Sequence, residues 1–137
     1  MADWLMKTEP AEFAYADLAA RGREPWSGVR NPVALKHMRA MHPGDRFLFY
    51  HTGGERAVVG VGGIATEPSP DPQAGDPRFV VVDVTPAYPF RRPVTLTEIK
   101  ADPRFAQWEL VRQSRLSVMP VSEEQWRWLH EMGETPL

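Results

Sequence analysis

The sequence predicts an α+β domain, a small twisted or barrelled β-sheet with α-helices packed against it. Three observations carry that expectation. Segments 46–52, 57–66 and 78–85 are rich in Val and aromatic residues and read as strands. Helix starts that bring their own caps stand at Asn31-Pro32, at Thr95 with Glu98 three residues on, and at Ser122 with Gln125. The two kinds of segment do not alternate as βαβ units require, and 137 residues suit one domain, 1–137, with a core of its own.

Taken in order, residues 3–7 form a short first strand, and Pro10 opens an amphipathic helix through Phe13, Leu18 and Ala19 that ends at Gly22. A second helix covers 32–41, with Val33, Leu35, Met38 and Met41 at helical spacing. Pro43-Gly44 is a tight turn, 46–52 a strand, Gly53-Gly54 a reversal, and 57–66 a buried strand. Its Gly60, Gly62 and Gly63 mark a bulge or a close backbone approach, and with no GxGxxG spacing they are not a dinucleotide fingerprint. Residues 68–77 are a proline-rich loop, 78–85 a strand, and 86–93 a segment whose prolines break it. A capped helix follows from Thr95 until Pro103 interrupts it, then a last strand over 116–119 and a terminal helix from Ser122 to Gly133.

Composition narrows the function. Cysteine is absent, which removes disulfides, thiol nucleophiles and cysteine-ligated zinc, and makes a reducing cytoplasm the expected setting. No apolar run approaches the roughly 20 residues of a spanning helix, so no membrane partner is expected. A net charge of −2 argues against a protein that coats nucleic acid. Residues 30–56 and 91–115 are each +3, however, and if the fold joins them they make a small basic patch suited to a few phosphates. Scattered solvated charge is the plain alternative.

Trp26-Ser27-Gly28-Val29-Arg30-Asn31 places an aromatic ring, a flexible backbone and a fixed cation on a loop leading into a helix. A base could be held there, although a loop Trp covering the core is the competing reading. Asn31 has the chemistry of a ligand contact and also of a helix N-cap. Lys7 and Glu9 lie two apart on one face of an extended strand, able to read a base edge or simply to pair with each other. Tyr50 and Thr52 share a strand face and are expected inward, with His51 on the other side. Ser117 offers a small hydroxyl, and Arg112 and Arg115 are candidate phosphate contacts, Arg115 alternatively a structural clamp. Trp4, Trp108, Trp126 and Trp128 are assigned to core or helix packing.

In order, WLMKTEP (4–10), WSGVRN (26–31), GDRFLFYH (44–51), VVGVGGI (58–64), PVTLTEIK (93–100) and RQSRLSVMPVS (112–122) resemble the EVE domain, a member of the PUA-like superfamily related to the thymocyte nuclear protein. The chain departs from that pattern at Pro32, Thr52 and Met119, the last two near the expected pocket. The resemblance implies a PUA-like β-barrel with flanking helices. It also implies a reader of a modified base, with modified cytosine in DNA (5-methyl- or 5-hydroxymethylcytosine) expected ahead of RNA. Because the sequence has no recognisable nucleophile, metal cage or phosphate loop, the reader is expected to be non-enzymatic, and it is expected to be monomeric with no cofactor or metal. The expected base pocket comprises Lys7, Glu9, Trp26, Val29, Asn31, Tyr50, His51, Thr52 and Ser117, and the expected phosphate contacts are Arg30, Lys36, Arg112 and Arg115. The alternatives are an RNA-binding PUA-like module and a small nucleoside- or phosphate-directed hydrolase with His51 as general base, oriented by Glu9 or Asp45. Against the hydrolase, the chain has no GxSxG elbow, HExxH or P-loop, and its four histidines lack metal-like spacing.

Overall fold

The computed structural model describes residues 1–137. Seven strands make one sheet: β1 (Asp3–Thr8), β2 (Glu24–Trp26), β3 (Arg46–His51), β4 (Ala57–Ile64), β5 (Ser69–Pro70), β6 (Val80–Thr95) and β7 (Val118–Val121). Their order is β2-β6-β4-β3-β1-β7, with β5 added beside β6. Five helices flank them: α1 (Tyr15–Arg21), α2 (Pro32–Arg39), α3 (Leu96–Ala101), α4 (Glu109–Arg112) and α5 (Glu123–Met132). The pair β1–β3 is parallel, and β1–β7, β3–β4, β4–β6 and β2–β6 are antiparallel. This is the expected α+β class, and the sheet curls into a partial barrel.

The curl is visible in side chains. Strands β2 and β3 are separated in the sheet by β6 and β4, yet the Trp26 ring of β2 lies 5.6 Å from Phe47 and 5.4 Å from Phe49 of β3, both edge-on. Glycines make this approach possible. A Cβ on Gly62 would sit 2.5 Å from the Phe47 ring, and one on Gly60 would sit 2.9 Å from the Tyr15 ring. The same stretch of β4 carries two register shifts against β6, so the glycines both bulge and admit rings against the backbone, as their spacing suggested.

Three boundaries differ from expectation. Helix α1 starts at Tyr15 rather than Pro10, because the Glu9 carbonyl accepts from the N–H groups of Glu12 and Phe13 in a turn, and the Asp17 carboxylate then caps Ala14 N–H at 2.8 Å. Strand β6 is not broken at 86–93. Pro86 and Pro89 lie opposite Gly62 and Gly60, beside unpaired residues, where bulges tolerate a missing donor and bend the strand instead of ending it. The last strand is displaced to Val118–Val121, set by pairing with β1. The local caps hold: the Asn31 side chain accepts from Val33 and Ala34 N–H, and Thr95 and Ser122 form capping boxes with Glu98 and Gln125.

Buried polar groups pin the ends. Asp45 accepts from Ala2 N–H, Trp4 Nε1–H and His42 N–H at 3.0–3.1 Å, tying the N-terminus to the start of β3. His130 docks α5 on β6. Its Nδ1 meets the Trp126 carbonyl at 2.7 Å and its Nε2 meets the Tyr88 hydroxyl at 2.8 Å, so the neutral ring donates to one and accepts from the other.

Burial holds the His130 pKa below its ordinary 6.5, with the Trp126 carbonyl opposing that effect. The unfolded chain therefore takes up this proton at higher pH than the folded one, and stability falls as pH drops from 6.5 towards the folded value. Urea midpoints should decline between about pH 7.5 and about pH 5.5 in the wild type and decline less in His130→Gln. Equal declines would remove His130 from this role.

Candidate nucleic-acid interface

A cleft of about 590 Å³ opens where β1 ends, between the β2–α2 loop and the segment leading into β7. Backbone pairing builds it. Lys7 N–H donates to the Ser117 carbonyl and Thr52 N–H to the Thr8 carbonyl, both at 2.9 Å, so Ser117 and Thr52 flank the end of β1. The other wall is Trp26-Ser27-Gly28-Val29-Arg30, with Gly28 at φ 80 turning the loop. Phe13 and Arg21 complete it from the α1 side, the guanidinium resting on the Phe13 ring and paired with Glu24.

Of the expected residues, the cleft gathers Lys7, Glu9, Trp26, Val29, Thr52, Ser117, Arg30 and Arg115. Lys7 and Glu9 do not pair. The Lys7 ammonium donates to the Ser114 carbonyl at 3.1 Å and lies over the Tyr50 ring, while Glu9 accepts from the Thr52 hydroxyl at 3.4 Å. Burial, and after it the charge of Lys100, hold the Lys7 pKa below the ordinary lysine value. Arg115 is exposed and makes no side-chain hydrogen bond or ion pair, which removes the clamp reading, and Arg30 rests on Phe79 with its centre 4.4 Å from the ring.

Trp26 proves to be core and cleft wall at once. It is 5% exposed and held edge-on by Phe13, Phe47 and Phe49, so it offers the cleft an edge rather than an open stacking face. Its indole N–H has no protein partner and keeps contact with solvent.

Five expected residues lie elsewhere. Asn31 spends its side chain on the α2 cap and borders a neighbouring cavity of about 330 Å³ together with Arg112 and Arg115. Arg112 is tied to Gln107 Oε1 at 2.6 Å. Lys36, exposed on α2, lines neither the cleft nor the cavities beside it. Tyr50 does share a face with Thr52, but that face is the outer side of the sheet, where α3 and α4 cover a cavity of about 340 Å³ and burial raises the Tyr50 pKa. His51 is the one inside. Its Nε2 accepts from Tyr15 N–H at 3.1 Å and its Nδ1 meets Glu55 Oε1 at 2.6 Å, with Phe49 edge-on at 5.5 Å. With its lone pair taken by a backbone N–H, His51 is unsuited to general-base work, and Asp45 lies at the far end of β3 from it. Met119 is fully buried in β7, away from the cleft.

The sequence profile described as EVE domain matches residues 2–132. This chain belongs to the EVE domain family. It is 42% identical to a protein from Rhodopseudomonas palustris whose NMR structure superposes with a TM-score of 0.92, covering 98% of this chain and 94% of that one. The crystal structure of human THYN1 protein in complex with 5-methylcytosine-containing DNA is 26% identical, with a TM-score of 0.88 and full coverage of both chains. Mouse thymocyte nuclear protein 1 is 28% identical over 96% of this chain and 74% of its own length. The partial barrel is thus the PUA-like architecture that the motifs implied.

In this EVE domain, Phe13, Arg21 and Ser114 also line the cleft and were not singled out by sequence reasoning. The sequence pattern puts Phe13 on a helix face, whereas its place in the turn before α1 is what sends its ring beside Trp26. His51→Ala should leave the Tyr15 N–H without its acceptor and cost roughly 1–3 kcal/mol in chemical denaturation. An unchanged midpoint would show that the histidine does not brace α1.

Proposed function

We propose that this protein is a non-enzymatic module that reads a modified cytosine in DNA, receiving the base in the cleft between the end of β1 and the Trp26–Arg30 loop. The observation that carries the reading is the cleft itself. It has the size of a small-ligand site, with an apolar wall from Phe13, Trp26 and Val29 and polar groups at its rim, on a fold shared with a protein solved on 5-methylcytosine-containing DNA. Glu9 accepts from the exocyclic amine of cytosine, and the free Trp26 indole N–H or the Ser117 hydroxyl donates to its carbonyl. The apolar wall takes the 5-methyl group. Arg30 and Arg115 contact flanking phosphates, which positions the strand without reading it. A base drawn from the stack costs a few kcal/mol, which these contacts offset.

Binding to matched duplexes carrying cytosine or 5-methylcytosine at one position tests this. The methylated duplex should bind roughly fivefold tighter or more, as burial of one methyl group implies. Val29→Ala, which trims the apolar wall, should narrow that gap, and Glu9→Gln and Arg115→Gln should weaken both duplexes alike. The slope of log affinity against log salt should be roughly −2 to −4. Mass spectrometry after prolonged incubation, with or without divalent metal, should return the strand unchanged. Equal binding of both duplexes, tighter binding of matched RNA, or a cleaved or altered base would overturn the proposal.

A further inference from the structure

The cavity on the outer side of β3 shares Lys7, Thr52 and Ser114 with the cleft and continues past them to Tyr50, Gly53, Arg56, Leu96, Lys100 and Leu110. Its lining contains three cations, Lys7, Arg56 and Lys100, and no carboxylate. Glu9 lines the main cleft, and its carboxylate borders this cavity beside Thr52 and Gly53. The cations have donors to spare. Lys100 makes no side-chain hydrogen bond or ion pair, Lys7 spends one of three donors on Ser114, and Arg56 uses only Nε, on the Gly53 carbonyl at 3.1 Å. Arg56 is held at φ 46, a left-handed conformation uncommon for a non-glycine residue, and such strain persists where surrounding structure imposes it. Here the Leu96 N–H to Arg56 carbonyl bond ties the residue to the start of α3, and its guanidinium stays among the residues of the cavity. Three cations against one bordering carboxylate leave like charges that repel one another, and an anion between them removes that cost.

We propose that this cavity is a phosphate site formed by Lys7, Arg56 and Lys100, and that the phosphate it takes is a backbone phosphodiester of the strand whose base enters the cleft. The source of the phosphate rests on the base-reading proposal; the anion site does not. Lys7, which lines both spaces, couples them, so one nucleotide places its base on one side of this residue and a phosphate on the other.

The test uses Lys100→Gln and Arg56→Gly, the latter removing the guanidinium while keeping a residue suited to positive φ, with Arg127→Gln on α5 as control. Each of the first two should weaken duplex binding roughly 3–10-fold at about 0.1 M salt and reduce the salt slope by about 1, and the control should do neither. Affinity for the free modified nucleoside should stay unchanged in all three. Unchanged duplex affinity and slope in both cavity variants would overturn the site. If the wild type binds no oligonucleotide, that failure belongs to the base-reading proposal, and titration with inorganic phosphate decides this one. Amide shifts at Gly53, Arg56 and Lys100 that vanish in Lys100→Gln would sustain an anion site, and their absence in the wild type would overturn it.

Discussion

Trp26 meets Phe13, Phe47 and Phe49 in edge-on contacts between 5.4 and 5.8 Å, and the rest of the molecule depends on that cluster. Each such pair adds about 0.5–1.5 kcal/mol beyond the area it buries. More important is where the rings come from. Phe47 and Phe49 belong to the middle of the sheet, Trp26 to its edge, and Phe13 to the turn before α1, so their meeting curls the sheet and brings the Ser27–Arg30 loop opposite the end of β1. The cleft is the space left at the mouth of that closure. Gly62 is the necessary counterpart, since any side chain there would collide with Phe47.

How much of this was legible in the sequence follows the range of each interaction. Caps at Asn31, Thr95 and Ser122 were legible because a cap is decided within four residues. The persistence of β6 through Pro86 and Pro89 was not, because it depends on the facing Gly60 and Gly62 and on unpaired residues between them. The motifs identified the family and located Lys7, Glu9, Trp26, Val29, Thr52, Ser117, Arg30 and Arg115 around one cleft. Side-chain alternation separated His51 from Tyr50 correctly. Which side of the sheet is inside is a tertiary fact, and it turned out opposite to expectation, with His51 bracing α1 and Tyr50 beneath Lys7. Asn31 shows the same limit: its cap chemistry was readable, and the cap consumed the side chain.

The charge pattern resolves in the same terms. An overall charge of −2 does not attract a polyanion at long range, yet the two positive segments of the sequence do converge. Arg56 meets Lys100 on the outer side of β3, and Arg30 and Arg115 stand at the rim of the cleft. The cations are gathered locally, around a cleft of about 590 Å³ whose lining also holds Glu9, Glu12 and Glu24.

The most direct test of the central claim is an amide and indole chemical-shift titration of the isotopically labelled protein with a duplex containing one 5-methylcytosine and with its unmodified counterpart. The methylated duplex is predicted to perturb Lys7, Ser27, Gly28, Val29, Thr52, Ser117 and the Trp26 indole N–H, with smaller effects from the unmodified one and none on the outer face of α5. Perturbations centred on α5, or the same pattern and size with both duplexes, would contradict the assignment of the cleft as the base site.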